Sequence, residues 1–247
     1  MQPDHWDELF DQIYLRTYGL RLGETDSAAE ARAAASLAGV ELPAEILDAP
    51  GGFGRHALPL AEAGYRVTVV DRSPVQLAEG RRGAGDAEWP RWVQADFREL
   101  PFAGSSFDAV LNLFSSIGYR GEEEDRRMLG EFLRVLRPGG ALIVETLHRD
   151  RLMTIFQSRS WEPLENDAVL AEERRFDPVA GEIEVDHILF ADGERRAVTF
   201  RVRIYSATEL VRLLADVGFV DIECFGDLEG GELTRQTRLA VRARCPV

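Results

Sequence analysis

Short apolar runs alternate with helical segments between Glu45 and Thr146, and this alternation constrains the fold more than any other feature of the sequence. The apolar runs are Ile46-Leu47, YRVTVVD, RWVQAD, FDAVLNL and GALIVET. The helical segments between them cover residues 55–63, 74–82 and 125–136. Parallel strands need a crossover connection, usually a helix, so this order predicts a mostly parallel sheet with right-handed crossovers. We therefore expect an α/β fold.

Further helices and strands are expected on both sides of this region. Residues 6–18 have a loose helical pattern, and the alanine-rich segment DSAAEARAAASLAG opens with the capping residue Asp26. Near the C-terminus, a helix is predicted over residues 208–217, with strands near FVDIECF and TRLAVRAR. The run GEEEDRR is typical of a solvated helix start, because acidic side chains interact favourably with the helix dipole there.

The middle of the chain, residues 161–205, has a different pattern. Apolar and polar residues alternate with period two, which is typical of strands with one solvated face. Turn residues in DPVAGE and ADGE divide the segment, so we predict a three-stranded antiparallel meander over residues 169–176, 182–190 and 196–205. We interpret residues 161–205 as a lid inserted into a main domain of residues 1–160 and 206–247, with residues 1–40 as an N-terminal helical cap.

Charge and composition disfavour several classes of partner. The formal net charge is −14, so the chain repels phosphate backbones and anionic lipid, and a nucleic acid partner is disfavoured. The start MQPDHWDELF lacks the basic and then apolar order of a secretory signal, and no apolar run approaches the roughly 20 residues of a membrane span. We expect a cytoplasmic protein. Cys224 and Cys245 are too few for a disulfide framework or a zinc site.

The stretch EILDAPGGFGRH indicates a ligand beside the backbone. A strand that ends at Asp48 and turns through Gly51, Gly52 and Gly54 into a helix presents free backbone N–H groups and little side-chain bulk. The same glycines, with Ala57, also fit the dinucleotide pattern G-x-G-x-x-A, so a nicotinamide-dependent oxidoreductase stays open. A tight turn without any ligand is the other reading, although such a turn needs only one glycine.

Three aspartates at successive strand ends narrow the choice of ligand. Asp48 would repel a pyrophosphate but would attract an ammonium group. Asp71 ends the second strand, where a carboxylate can accept hydrogen bonds from both hydroxyls of a ribose. Asp96 ends the third strand, and with Phe97 it could bind an adenine amino group and flank the ring.

These motifs resemble those of the class I S-adenosylmethionine-dependent methyltransferases. DAPGGFG is similar to the family's D-x-G-x-G-x-G motif, with Pro50 in place of the usual first glycine, and VTVVD and QADFREL match the next two segments. FDAVLNL and LRVLRPGGALIVE match the fourth and fifth strands. The resemblance covers residues 45–146 closely. It implies a doubly wound, seven-stranded, mostly parallel sheet, with S-adenosyl-L-methionine as cofactor and S-adenosyl-L-homocysteine as product.

A narrower resemblance concerns the acceptor. NLFSSIGY, the meander and RVRIYSATELVRLLADVGF are similar to small-molecule N-methyltransferases, such as sugar-amine dimethylating enzymes and glycine and sarcosine methyltransferases. In that group an antiparallel lid helps to close the substrate cavity and an N-terminal helix covers the cofactor. The resemblance implies a methyltransferase acting on a small molecule, with an amine as one candidate acceptor.

The candidate site residues follow from these motifs, and no metal is required. The cofactor-binding candidates are Asp48, Pro50, Gly51, Gly52, Gly54, Arg55, Asp71, Arg72, Asp96, Phe97, Asn112, Leu113 and Phe114. The catalytic candidates are His148, Tyr14 and Tyr119, with His148 favoured as a base because it follows the fifth strand. In the alternating pattern of its meander strand, His187 occupies a position that is otherwise apolar. There it would either line the cavity or pack in the lid.

Two other functions remain open from the sequence. One is a non-catalytic regulatory module that binds the cofactor, and the other is a methyltransferase that acts on RNA or protein through a local basic patch. The sequence also leaves open whether the chain forms a homodimer.

Overall fold

The computed structural model describes residues 27–164 and 167–247. The first predicted helix, residues 6–18, lies outside this range, and so does the catalytic candidate Tyr14. The described helices are α1 (Ser27–Ala38), α2 (Ala57–Glu62), α3 (Pro74–Ala84), α4 (Glu122–Val135), α5 (Arg149–Ile155) and α6 (Ala207–Val217). None of them is long and apolar enough to cross a membrane.

A seven-stranded sheet forms the centre of the protein and confirms the predicted fold class. Its strands are β1 (Glu45–Asp48), β2 (Arg66–Asp71), β3 (Arg91–Gln94), β4 (Phe107–Asn112), β5 (Leu136–Thr146), β10 (Val220–Phe225) and β11 (Leu239–Arg244). They lie in the order β10-β11-β5-β4-β1-β2-β3, and β11 is antiparallel to both of its neighbours. From β1, the following strands β2 and β3 extend the sheet towards one edge, whereas β5, β11 and β10 extend it from β4 towards the other edge. A crevice therefore opens where β1 and β4 end.

Helices cover both faces of this sheet, which explains why the central strands β1, β2 and β4 are buried at nearly every position. Neighbouring residues of a strand point to opposite faces, and Ile46 and Leu47 belong to separate buried clusters. Leu47 packs in the cluster that contains Phe132 of α4. Ile46 packs in the cluster that contains the buried alanines of α1, whose small side chains allow that helix to lie close to the sheet.

A second, antiparallel sheet has four strands, which corrects the three-stranded prediction. Its strands, in spatial order, are β6 (Arg159–Pro163), β7 (Val169–Asp177), β8 (Glu182–Ala191) and β9 (Glu194–Arg203). The additional strand β6 pairs with β7. Most side chains of β6 are exposed, so its sequence carries no alternation that would predict a strand. The division of the chain into a lid of residues 161–205 and a main domain stays a prediction.

The second sheet is joined to neighbouring segments of the described chain near the end of β9. Arg203 donates its backbone N–H to the carbonyl of Gly118 at 2.8 Å, and Arg149 donates its backbone N–H to the carbonyl of Tyr205 at 3.1 Å. Ile183 of β8 lies in a small apolar cluster with Phe156, next to α5. The sheet is therefore held by both hydrogen bonds and apolar contacts.

Candidate functional site

A cavity of about 370 Å³ lies at the crevice where β1, β2 and β4 end. One wall is formed by the loops that follow these strands, and residues of β8 and β9 complete it from the second sheet. Ten of the predicted cofactor-binding residues line it: Asp48, Pro50, Gly51, Gly52, Arg55, Asp71, Arg72, Phe97, Leu113 and Phe114. Gly54, Asp96 and Asn112 lie outside this lining.

Asp48 is the most unusual charged group of the cavity. Its side chain is buried, and Oδ2 has no hydrogen-bond partner among the described residues. Burial raises the pKa of Asp48 to about 7; the charge of Asp71 adds to this effect and the charge of Arg55 opposes it. A buried carboxylate oxygen without a donor is costly, so this position suits a ligand that brings a cationic donor.

Asp71 fixes the glycine turn. Its Oδ2 accepts a hydrogen bond from the backbone N–H of Gly52 at 2.9 Å, and its Oδ1 accepts one from Ser73 at 2.8 Å. A Cβ atom on Gly51 would lie 2.8 Å from Cγ1 of Val69, so a larger residue would not fit there. The turn and the Asp71 carboxylate that holds it both line the cavity.

Gly54 and Asn112 support the cavity from behind. A Cβ atom on Gly54 would lie 2.4 Å from the ring of Trp92, and the φ of Gly54 is +78°. Both features favour glycine there. Nδ2 of Asn112 donates to the carbonyl of Ala49 at 2.9 Å, which joins the end of β4 to the turn after β1. These two residues position the lining.

Asp96 is held by an arginine instead of facing the cavity. Nε and Nη2 of Arg98 donate to its two carboxylate oxygens at 2.9 and 2.6 Å, and Arg72 lies 3.8 Å away. Burial alone would raise the pKa of Asp96, but the hydrogen bonds from Arg98 outweigh it and lower the pKa to about 2. Phe97 and Arg98 line the cavity beside it, so this end offers an aromatic ring and a guanidinium.

The loop after β4 has an unusual backbone. Phe114 and Ser115 both have φ of +60°, a conformation that L-residues rarely adopt. Glu145 of β5 holds them: its Oε2 accepts from the N–H of Phe114 and its carbonyl accepts from the N–H of Ser115, both at 2.9 Å. Arg238 in turn binds the Glu145 carboxylate and donates Nη2 to Oγ of Ser115 at 2.8 Å. Such backbone strain is typical of functional sites.

Helix α1 is joined to the glycine turn through Glu30. Oε2 of Glu30 accepts a hydrogen bond from Nη1 of Arg55 at 2.5 Å and lies 3.1 Å from Nε2 of His56. The hydrogen bond with His56 and the charge of Arg55 lower the pKa of Glu30 to about 2, against the opposing effect of partial burial. The Arg55 guanidinium also lies 4.7 Å from the centre of the Phe114 ring. The N-terminal part of the described chain therefore contacts two cavity loops through one ion-pair cluster.

The second sheet contributes an aromatic and imidazole wall. His187 of β8 and Phe200 of β9 line the cavity, and their ring centroids are 6.3 Å apart. The ring centroids of Phe200 and Tyr119, which lies in the loop after β4, are also 6.3 Å apart. Burial raises the pKa of Tyr119 to about 12, so its hydroxyl stays protonated near neutral pH.

His148, the base candidate favoured from the sequence, does not line the cavity. It is buried at the N-cap of α5, with Nε2 3.7 Å from Oδ2 of Asp150. Two other histidines, His56 and His187, line the cavity instead.

Five charged residues of the lining were not predicted from the sequence: Arg98, Arg120, Glu124, Asp125 and Arg238. Asp125 falls in the run GEEEDRR, which indicates an exposed helix start, but it is buried on the same face of α4 as Met128 and Phe132. Its spacing of three and seven residues from these apolar positions was the available signal. Arg238 directly precedes β11, and nothing in its local sequence distinguishes it from a surface arginine.

Known proteins that resemble this chain are methyltransferases. Residues 46–140 match the family model described as a methyltransferase domain. The glycine/sarcosine N-methyltransferase of Aphanothece halophytica is 31% identical over 190 residues, which cover 74% of this chain and 69% of that protein. The demethylmenaquinone methyltransferase of Clavibacter sepedonicus is 36% identical over 149 residues, or 58% of each chain. The chain spans only 39–58% of the first demethylmenaquinone methyltransferases that it matches.

A solved structure shows the same fold over the whole chain. The CcbJ methyltransferase from Streptomyces caelestis superimposes with a TM-score of 0.80 at 23% identity, covering 99% of this chain and 100% of that one. At this identity, the likeness concerns the arrangement of helices and strands. It includes the part of the chain that forms the second sheet, because the superposition covers nearly all residues.

Proposed function

Since the chain belongs to the class I S-adenosylmethionine-dependent methyltransferases, we propose that it transfers a methyl group to the nitrogen of a small-molecule amine. The observation that carries this proposal is the cavity between the strand ends and the second sheet. One part of it has the acidic and glycine-rich features that suit the cofactor, and another part has an aromatic wall that suits an acceptor.

The residues present fit S-adenosylmethionine. The buried Oδ2 of Asp48 is a site for the ammonium group of its methionine part, and Gly51 and Gly52, which line the cavity, present backbone without side chains to a ligand. Asp71 is placed to accept the ribose hydroxyls, and Phe97 and Leu113 are apolar surfaces for the adenine ring. When bound, the cofactor supplies a methyl group on a positively charged sulfur.

The cavity residues would then align the acceptor and exclude water. Methyl transfer from a sulfonium needs an in-line nucleophile and depends mostly on orientation. The strained Phe114–Ser115 loop and the second sheet surround the space left for an acceptor, which keeps bulk water out.

An amine is favoured by the aromatic wall and by one relative. Tyr119 and Phe200 present rings that can interact with a cationic or polarised amine, as in cation–π contacts. The volume of about 370 Å³ suits a small molecule rather than an RNA or a protein. The relative from Aphanothece halophytica is named as an N-methyltransferase. It matches 74% of this chain, compared with 58% for the demethylmenaquinone methyltransferase of Clavibacter sepedonicus.

A quinol carbon is the second candidate acceptor. It is favoured by the demethylmenaquinone methyltransferases, which are 36–39% identical to parts of this chain. A panel of acceptors distinguishes the two: amino acids and amino sugars on one side, and a short-chain demethylmenaquinol on the other. N-methylated products support the proposal, whereas methylation of the quinol alone contradicts it.

The first experiment is calorimetry with S-adenosylhomocysteine. We expect micromolar binding to the wild-type protein and weaker binding to Asp71→Ala. Tight binding without any methylated product across the panel would identify a non-catalytic module. Absence of binding, with no difference between wild type and Asp71→Ala, would overturn the proposal.

A further inference from the structure

His187 is a polar group at a position that the second sheet otherwise gives to apolar residues. Along β8 the buried residues alternate with partly exposed ones, and the other buried positions hold Ile183, Val185 and Leu189. His187 is only 2% exposed and lines the cavity. Burying an imidazole costs free energy that an aliphatic side chain would not, so packing alone does not account for a histidine here.

Glu172 of β7 lies directly opposite His187 and is oriented by other groups. The two residues are partners in the β7–β8 register, and Oε1 of Glu172 lies 3.4 Å from Nδ1 of His187. The other carboxylate oxygen, Oε2, binds Arg174 and lies 3.4 Å from Oγ of Ser160. Glu172 therefore lies on the Nδ1 side of the imidazole, where a carboxylate is in place to pair with a protonated ring, and Nε2 is the other ring nitrogen.

We propose that His187 accepts the proton that the amine acceptor must lose, and that Glu172 is its positioning residue. This inference rests on the proposed function. An ammonium acceptor transfers one proton to Nε2, so that its N–H bond breaks and His187 becomes an imidazolium paired with Glu172. The lone pair released on the acceptor nitrogen forms the new bond to the methyl carbon, while the electron pair of the old carbon–sulfur bond stays on sulfur. The imidazolium returns its proton to solvent.

Three other titratable groups of the cavity, Asp125, His56 and Tyr119, are less suited to this step. The carboxylate oxygens of Asp125 accept hydrogen bonds from Gly118 and Tyr205. His56 is bound to Glu30, and burial lowers its pKa. Tyr119 stays protonated because burial raises its pKa to about 12.

The matched experiment compares His187→Gln with His148→Gln, since both histidines are buried but only His187 lines the cavity. Calorimetry with S-adenosylhomocysteine should give dissociation constants within about 3-fold of wild type for both variants. At pH 7, the single-turnover rate of methyl transfer should fall about 100-fold in His187→Gln, a typical contribution of general base catalysis. A rate loss confined to His148→Gln would overturn the inference.

The pH dependence separates proton transfer from a structural role. Glu172 on β7 faces His187, and the rings of His187 and Tyr119 both lie near Phe200. Above the pKa of the acceptor amine the acceptor arrives already deprotonated, so a base is no longer needed. The deficit of His187→Gln should therefore shrink by about 10-fold or more between pH 7 and pH 10. A deficit that stays constant over this range would contradict the inference.

Glu172→Gln tests the positioning residue and provides a second variant if His187→Gln does not fold. It should lower kcat about 10-fold at an unchanged KM, because the imidazolium loses its partner while the acceptor contacts remain. Ser160→Ala is the control, since it removes the contacts of Oγ to Oε2 of Glu172 and to Nη1 of Arg174 but leaves the Glu172–His187 pair in place. If the wild type methylates an amine and both His187→Gln and Glu172→Gln keep the full rate, only this inference fails. If the wild type neither binds S-adenosylhomocysteine nor methylates an amine, the proposed function itself fails.

Discussion

The hydroxyl of Tyr205 donates a hydrogen bond of 2.6 Å to Oδ2 of Asp125, and this bond joins the segment after β9 to helix α4. Oδ1 of Asp125 accepts a second bond, from the backbone N–H of Gly118 at 3.1 Å. One buried carboxylate therefore connects three segments: the loop after β4, the start of α4 and the exit from the second sheet. Because Asp125 also lines the cavity, the shape of the site depends on this connection.

The charge state of Asp125 should affect stability in a defined pH window. Burial raises its pKa to about 6, against the effect of the two hydrogen bonds, whereas an unfolded aspartate titrates near 3.8. The folded protein thus binds this proton more tightly, and the stabilisation is present below pH 4 and lost as the pH rises through 6. The rise in pKa corresponds to about 3 kcal/mol. In denaturant titrations, the stability of wild type relative to Asp125→Asn should fall by an amount of this order between pH 4 and pH 7. A difference that does not change with pH contradicts the assignment.

Gly118 should be more sensitive to substitution than a glycine of similar backbone conformation. Its φ is +100°, and a Cβ atom would lie 2.1 Å from the carbonyl oxygen of Arg203. Gly193, in the turn between β8 and β9, has φ of +75° and open space around it. We expect Gly193→Ala to lower the free energy of unfolding by about 1–2 kcal/mol through backbone strain alone. Gly118→Ala should cost about 1–3 kcal/mol more, because the backbone of β9 must move. Equal losses in urea titrations would show that this contact is unimportant.

Cofactor binding should release a proton from Asp48. With a pKa of about 7, Asp48 is partly protonated at neutral pH, and a bound ammonium group favours its ionised form. Binding of S-adenosylhomocysteine should therefore tighten as the pH rises through 7 and release about half a proton at pH 7. Calorimetry in two buffers of different ionisation enthalpy measures this release.

Asp48→Asn is the matched variant for this linkage. It should abolish the proton release and weaken binding about 10-fold or more, because a charged hydrogen bond is lost. Without ligand, the same variant should unfold at higher denaturant than wild type at pH 8, since a buried charge has been removed. A variant that releases the same number of protons as wild type would exclude Asp48 as the ammonium site.

The fold could be predicted because its signals are local and repeated. The apolar pairs and runs of β1, β2, β4 and β5 mark strands that are buried on both faces, and the helices between them fix a parallel arrangement. Strand β6 and helix α5 were missed for one common physical reason. Neither has any fully buried side chain, so neither carries a periodic apolar pattern.

The candidate site was only partly predictable, because contacts between side chains decide its details. Asp48 and Asp71 do end β1 and β2, but β3 ends at Gln94, so Asp96 lies two residues beyond it. Asp96 is bound by Arg98, which the strand pattern does not indicate. The alternation in β8 correctly predicted that His187 occupies one of the buried positions of the strand. It could not show that this position borders a cavity. Glu145 and Arg238 are 93 residues apart in the sequence, so their contact depends on the tertiary structure.

Arg238 should control the rate of methyl transfer through the loop after β4. Its guanidinium binds both Glu145 and Ser115. Glu145 in turn accepts a hydrogen bond from the backbone N–H of Phe114, whose φ is +60°. Arg238→Met removes the cation but keeps much of the side-chain volume, so the loop should relax away from the left-handed conformation. A displacement of about 1 Å near the reacting atoms can cost about 100-fold in rate, and we expect a loss of about 10- to 100-fold.

The dissociation constant of S-adenosylhomocysteine should stay within about 3-fold, because Asp48, Gly52 and Asp71 are untouched. Arg235→Met, at an exposed position three residues earlier, is the control and should retain the wild-type rate. If both variants behave alike, the Arg238–Glu145 pair does not position the loop.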